Sequence, residues 1–281
     1  MRKGSQNCQS YLMKKLYLIS VLLFIGLYTT GQEVNRIIQD ISGKDNSAVT
    51  EQFGMGLTAV ISQDGELNRA LQQQIGEKHE LSLIQSGFAN QVEIIQQGVA
   101  HLSQVEQKGD DNKILHHQEG KLNVGEIIQE GIGNITRLSQ YRADNSAFIS
   151  QAGFENKTEI LQDGRSDNIR VIITGDLNET VITLKKSKKN KIDITQSGYE
   201  NSATIYLEEG SQLNNVILEQ QGTGNIATNF RGKGEIPGDI AYSGIMIKGD
   251  YNTASIYQQG YMNRAGMSIC GDRNVANIVQ H

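Results

Sequence analysis

The sequence predicts an all-β protein, a parallel β-solenoid with two strands per turn and cross-β stacking. Three observations predict it. An eleven-residue unit built on Asn, Gln and Gly recurs through almost the whole chain. Apolar residues alternate within each unit. Units 22 residues apart resemble each other more closely than adjacent ones do.

The first element in chain order is an export segment. Residues 1–15 hold Arg2, Lys3, Lys14 and Lys15 and no acid, and Leu16 to Leu27 is an apolar run of 12 residues. Small and polar residues follow. This is the layout of a secretory signal, and the run is too short to span a bilayer. The predicted signal covers 1–31, with Met13 an alternative start. No membrane insertion is expected of the remaining chain, 32–281. Removing 1–31 leaves 22 basic and 31 acidic residues, net −9, and leaves Cys270 as the one cysteine. An intrachain disulfide is therefore excluded.

Composition narrows the rest. Among 281 residues there are 30 Gly, 1 Pro and no Trp, and aromatics make up 6%. Collagen-like and Pro-rich classes are excluded. The acidic balance also argues against a specific nucleic-acid binder.

The repeat fills 32–281. With an Asn slot as position 0, Gln falls at position 6, Gly at position 8 and the next slot at position 11. Slots run from 35 to 178 without an insertion. They resume at 190, 201, 214, 225, 241, 252, 263 and 274, giving 22 units, the last incomplete. Disturbed arcs are expected near 184–190, 207–214 and 231–240, the last containing Pro237. Asn fills 17 of the 22 slots and Gln fills position 6 in 15 of them. Position 4 is apolar in most units, as at Ile61, Ile94, Ile127 and Ile149, and position 2 is small or apolar.

A hendecad helix shares this period, but it would bury Asn and Gln and carry a Gly every third turn. Period-two alternation favours a strand. Eleven is odd, so a straight strand would reverse its faces at each unit. Each unit is therefore read as a strand of about six residues and an arc, with Gly accepting positive φ at the bend.

The deeper period of 22 stacks like on like. One ladder is Asn46, Asn68, Asn90, Asn112, Asn134, Asn156 and Asn178. The interleaved slots hold Asn35, Leu57, His79, His101, Asn123, Asn145 and Asp167. Glutamine ladders follow from Gln52, Gln63, Gln74, Gln85, Gln96, Gln107, Gln118, Gln129, Gln140, Gln151 and Gln162. Arc glycines are Gly54, Gly65, Gly76, Gly87, Gly98, Gly109, Gly120, Gly131, Gly153 and Gly164. An amide carries both a donor and an acceptor, so each can bond the rungs above and below it.

These residues resemble the curlin repeat of secreted curli amyloid subunits. The stretch Gln85-Ser-Gly87-Phe-Ala-Asn90-Gln-Val92-Glu-Ile-Ile-Gln96 carries the pattern, and the match spans essentially the whole of 32–281. The resemblance implies a β-solenoid exported through an outer-membrane curli pore. It also implies polymerisation into extracellular, cell-surface fibres that serve adhesion and biofilm matrix. Partners would be further copies of this chain, other curlin subunits, and host or matrix surfaces. Departures at position 8 (Arg142, Lys186, Glu209, Lys233) and position 6 (Leu184, Leu207, Ile247, Ile269) leave open a major or a minor, nucleating subunit.

Other chemistry is sparse. There is no nucleophile elbow, P-loop, HExxH or CxxC, so neither an enzyme nor a cofactor is expected. His79 and His101 should stack. They read either as a shared metal site lacking a third ligand or as polar substitutes in an Asn slot, and no metal is assigned. Lys185, Lys186, Lys188, Lys189 and Lys191 read first as a solvated gatekeeper and, as the alternative, as a polyanion contact. The last unit keeps the ladder pattern without a cap, which predicts head-to-tail polymerisation. The alternative is a monomeric secreted β-solenoid adhesin, a binding module using the lysine run or an outer face.

Overall fold

The structure is a computed structural model, and it describes residues 34–231, 242–259 and 263–280. The predicted signal, and the 231–240 break beyond Arg231, lie outside the described residues. The first ten strands are β1 (Arg36–Ile41), β2 (Ser47–Met55), β3 (Thr58–Glu66), β4 (Arg69–Glu77), β5 (Glu80–Phe88), β6 (Gln91–Val99), β7 (Leu102–Asp110), β8 (Lys113–Lys121), β9 (Val124–Ile132) and β10 (Ile135–Ala143). They continue as β11 (Ser146–Phe154), β12 (Lys157–Arg165), β13 (Asn168–Asp176), β14 (Glu179–Lys188), β15 (Lys191–Tyr199) and β16 (Ser202–Leu207). The last six are β17 (Asn215–Thr223), β18 (Ile226–Arg231), β19 (Tyr242–Lys248), β20 (Thr253–Gln258), β21 (Arg264–Cys270) and β22 (Val275–Gln280).

Odd strands form one 11-stranded sheet and even strands another, in strict order. Every pairing is parallel. From β2 to β14 each residue faces the one 22 positions on, as in Gln63↔Gln85 and Gly65↔Gly87, until one added residue near Gly164 shifts the register. The protein is a parallel β-solenoid with two strands per turn and about 11 turns.

The core follows from the alternation. In β3 the pattern places Ala59, Ile61 and Gln63 inside and Val60, Ser62 and Asp64 towards solvent. Ile61, Ile94, Ile127, Ile149, Val171 and Ile194 are fully buried between the sheets. Burial of one such side chain stabilises by about 1.5–3 kcal/mol. The buried side chains of both sheets form one hydrophobic cluster that runs along the stack.

Strand length differs from the sequence expectation. Most strands run nine residues, not about six, because pairing continues through the glycine at position 8. The corner proper lies two residues later, where the backbone enters the left-handed region at non-glycine residues such as Leu67, Lys78, Ala89 and Ala100, with φ between 54° and 59°. The arcs themselves stack. Ala89 N–H donates to Glu66 O at 2.9 Å, and Asp111 N–H to Phe88 O at 2.9 Å. These bonds to the turn below satisfy backbone groups that a free loop would leave to water.

Glycine at position 8 answers this nesting. At Gly87 φ is 109°, and a Cβ there would lie 2.2 Å from the carbonyl oxygen of Gly109 in the next turn. Gly164 is a correction to the expectation: it does not adopt positive φ. A Cβ at Gly164 would instead meet Asp167 Oδ2 and Ser187. Space, not backbone conformation, demands glycine there.

Candidate functional site

The candidate site is the set of side-chain columns and the strand edges on which they terminate. Glutamines at position 6 form two inward columns, one per sheet. Each Nε2 donates to the Oε1 of the rung that follows, at 2.7 Å from Gln63 to Gln85 and 2.9 Å from Gln85 to Gln107. In the other sheet Gln74 donates to Gln96 at 2.8 Å and Gln140 to Gln162 at 2.8 Å. The second amide hydrogen goes to a strand carbonyl, as from Gln85 to Arg69 O. A buried amide with all its groups bonded avoids a penalty of about 1–3 kcal/mol.

The asparagine column runs with the opposite sense. Asn112 donates from both its backbone N–H and its Nδ2 to Asn90 Oδ1, each at 3.1 Å. Its Nδ2 also reaches Gly131 O in the next turn at 2.8 Å. The column starts at Asn46 and continues past Asn178 through Asn201, Asn225, Asn252 and Asn274. Each asparagine thus ties its own arc to the arcs on both sides.

The glutamine columns are interrupted where the sequence departs from Gln. Ile173, Leu184, Leu207 and Ile247 fill the same inward position as buried apolar groups. At the lower end Gln52 Oε1 and Gln63 Oε1 are buried without a hydrogen-bond partner. Gln63 faces Ile41 on β1, which offers no donor.

The interleaved column is chemically mixed. His79 and His101 stack with ring centroids 4.9 Å apart and planes within 6°. Each ring reproduces two of the asparagine's bonds. His79 Nδ1 accepts the N–H of His101 at 3.1 Å, and His101 Nδ1 accepts the N–H of Asn123 at 3.2 Å. Their Nε2 atoms lie 3.0 Å from Ile75 O and Gln97 O. That pattern requires a neutral ring with its proton on Nε2, and it leaves no lone pair for a metal. Burial lowers the pKa of both, that of His101 to about 4.

Asp167 occupies an asparagine slot without an amide hydrogen to give. Its Oδ1 accepts the N–H and Nδ2 of Asn190, each at 2.8 Å. Its Oδ2 accepts from Ser187 Oγ at 2.6 Å. One turn earlier Asn145 Nδ2 donates to Gly164 O at 3.0 Å; Ser187 stands in Gly164's place in the next turn, so here the bond runs in the reverse direction, from the serine to the slot residue. The serine is placed by the single added residue between slots 178 and 190. Lys186 is that residue: Asp163 pairs with Lys185 and Gly164 with Ser187. Lys186 therefore does not hold position 8, as the spacing suggested. Burial pushes the Asp167 carboxyl upward, and the bonds from Ser187 and Asn190 oppose it.

The lysine run is not a uniform basic surface. Lys185 Nζ lies 5.2 Å from the ring centre of Tyr206, and Lys186 Nζ is 2.8 Å from Glu209 Oε1. Lys188, Lys189 and Lys191 are exposed, the last on the other sheet, so the run wraps an arc and spreads over two faces. Tyr206, Phe230 and Tyr257 form an outward stack, with ring centres 5.2 and 4.9 Å apart.

Sequence reasoning missed a core histidine and its receptor. His116 stands at position 4 of β8, where Ile is usual, fully buried with Nδ1 2.9 Å from Ser103 Oγ. A Cβ on Gly125 would lie 2.2 Å from His116 Cε1, so the glycine opposite makes room for the ring. Both are visible as departures from the repeat at facing positions of neighbouring units. Comparison of the chain with protein-family models and with curated proteins returns no match.

Proposed function

We propose that this protein is a structural fibre subunit of curli type, secreted and polymerised at the cell surface by head-to-tail stacking of its solenoid ends. The observation that carries it is the complementarity of the two terminal edges. Among the described residues β1 and β2 are the edge strands at one end, β21 and β22 at the other. Their slots match in kind: Asn263 with Asn35, Ile269 with Ile41, Asn274 with Asn46, and Gln280 with Gln52.

Polarity supports one orientation. Glutamine amides donate toward the following rung, so Gln280, which accepts from Gln258 and donates to Arg264 O, retains one hydrogen. Gln52 Oε1 at the other end is a buried acceptor without a partner. The asparagine column offers the converse pair, an acceptor beyond Asn274 and the N–H of Asn46. Joining two like ends would set donor against donor in one column and acceptor against acceptor in another, whereas joining unlike ends continues every column. Open parallel edges of this kind template the addition of another strand. The resemblance to the curlin repeat is what supports export through an outer-membrane pore and a role in adhesion and matrix.

The test is seeded assembly of the purified chain. The expected outcome is thioflavin-positive fibres with a meridional spacing of about 4.8 Å, whose growth is accelerated by preformed fibres. Gln280→Glu should leave the circular dichroism of the soluble chain unchanged and slow seeded elongation at least ~10-fold, the loss from about 1.4 kcal/mol at the junction. A chain that stays monomeric with seeds present, and instead binds a glycan, would replace this reading with that of a solenoid adhesin.

A further inference from the structure

Three of the buried titratable side chains lie close together in the stack. His79 and His101 occupy consecutive rungs of one arc column, and His116 lies in the core of the strand that follows β7. The other buried ionisable side chains among the described residues, Asp167 and Arg231, lie farther along the chain. Two of the imidazoles act as hydrogen-bond acceptors in the ladder. His79 and His101 accept a backbone N–H from the next turn, and His116 Nδ1 meets Ser103 Oγ. His116 Nε2 is buried and makes no hydrogen bond of good geometry, and the nearby Gln140 side chain only partly opposes the effect of burial.

A proton on these rings has nowhere to go without breaking the stack. On His79 or His101 it converts the Nδ1 acceptor into a donor facing the N–H it had accepted, and a proton on each would set two cations face to face at 4.9 Å. On His116 it puts a charge between two sheets of aliphatic side chains. The titratable groups that act on the three rings are one another and His117. The charged residues nearest His79 along the chain, Glu77, Lys78 and Glu80, are exposed, so solvent screens their effect on the buried ring.

We propose that the turns from His79 to Asn123 are an acid-labile break in the stack, closed at neutral pH and opened when these imidazoles take up protons. Opening exposes fresh unpaired strand edges inside the solenoid while the turns above and below keep their ladders. The inference concerns the single chain and stands whether or not copies assemble. The sign follows from linkage. Burial holds His101 and His116 at about 4, below the ordinary 6.5, and lowers His79 as well. The opened segment therefore binds protons that the closed one does not, and stability falls as pH drops below 6.5, levelling off near 4.

Hydrogen exchange of the full chain, corrected for intrinsic rates, tests this. Between pH 6.5 and 5 the opening equilibrium of peptides in β5–β8 should rise at least ~100-fold relative to β9–β11, at up to roughly tenfold per pH unit for each histidine. The His79→Asn/His101→Asn variant installs the residue found at each rung of the other column and should remove most of that rise. Equal responses of the two segments, or a variant that keeps the full effect, would overturn the proposal. If the variant does not fold, imidazole nitrogen chemical shifts of the unaltered chain decide. Neutral rings at pH 5 in the closed stack are expected, and protonated rings in an intact stack would overturn it.

Discussion

At the scale of the residue, the repeat is a set of side chains chosen for what lies one turn above and below. Departures from it are informative because each has to be compensated or tolerated. Asp167 is compensated: it lacks the amide hydrogens of asparagine, and Ser187 Oγ donates to it instead. Its raised pKa means the folded state binds the proton more readily, so its contribution is fully present below pH 3.8 and is lost as pH rises through the folded value. Asp167→Asn should therefore raise the thermal midpoint at pH 7 and do little at pH 3.5, as differential scanning fluorimetry at both pH values would show. Gln72 is tolerated: it sits fully buried at position 4 with neither amide atom bonded. Gln72→Leu removes an unsatisfied amide and should stabilise by about 1–3 kcal/mol in denaturant unfolding.

At the scale of the element, strand and arc act as one nested unit. Gly87→Ala would force the arc away from Gly109 and impose a backbone conformation costing about 1–3 kcal/mol before any clash is counted. Loss of a comparable amount in unfolding free energy is expected, while Ser82→Ala on the outer face of the same strand should change it by under about 0.5 kcal/mol. The pairing of His116 with Gly125 belongs to two neighbouring turns. Gly125→Ala alone should be strongly destabilising, because the added carbon meets the ring. His116→Ile with Gly125→Ala restores the usual pattern of the repeat and should recover stability at pH 5. A double-mutant cycle with a coupling of about 0.5–3 kcal/mol is the expected signature.

At the scale of the whole molecule, stability is a sum over neighbouring turns, and the turns are not equal. From β3 to β13 strands of nine residues carry nearly continuous glutamine and asparagine columns. From β16 onward most strands have six or seven residues, and position 6 holds Leu207, Arg231, Ile247 and Ile269 among the glutamines. Fewer ladder bonds per turn should make the later turns open more easily. Hydrogen exchange at pH 7 is expected to show lower protection over β16–β22 than over β3–β13, and uniform protection would refute this.

The period of eleven with a deeper period of 22, together with the alternation of apolar residues, was enough to establish the solenoid, its two strands per turn and its rung register. Identical spacing leaves only one way to stack like on like, and burying Asn and Gln is tolerable only in that stack. What the sequence could not supply was the path of the backbone through the arc. Whether Gly87 bends the chain or lets it nest depends on the carbonyl one turn away, as does the role of Ser187 beside Asp167. The same holds for the opposed polarity of the glutamine and asparagine columns, since an amide reads identically in either orientation until its neighbours fix which atom faces up. Periodicity is a local property written in one dimension, whereas donor direction and close approach arise only when turns distant in sequence meet.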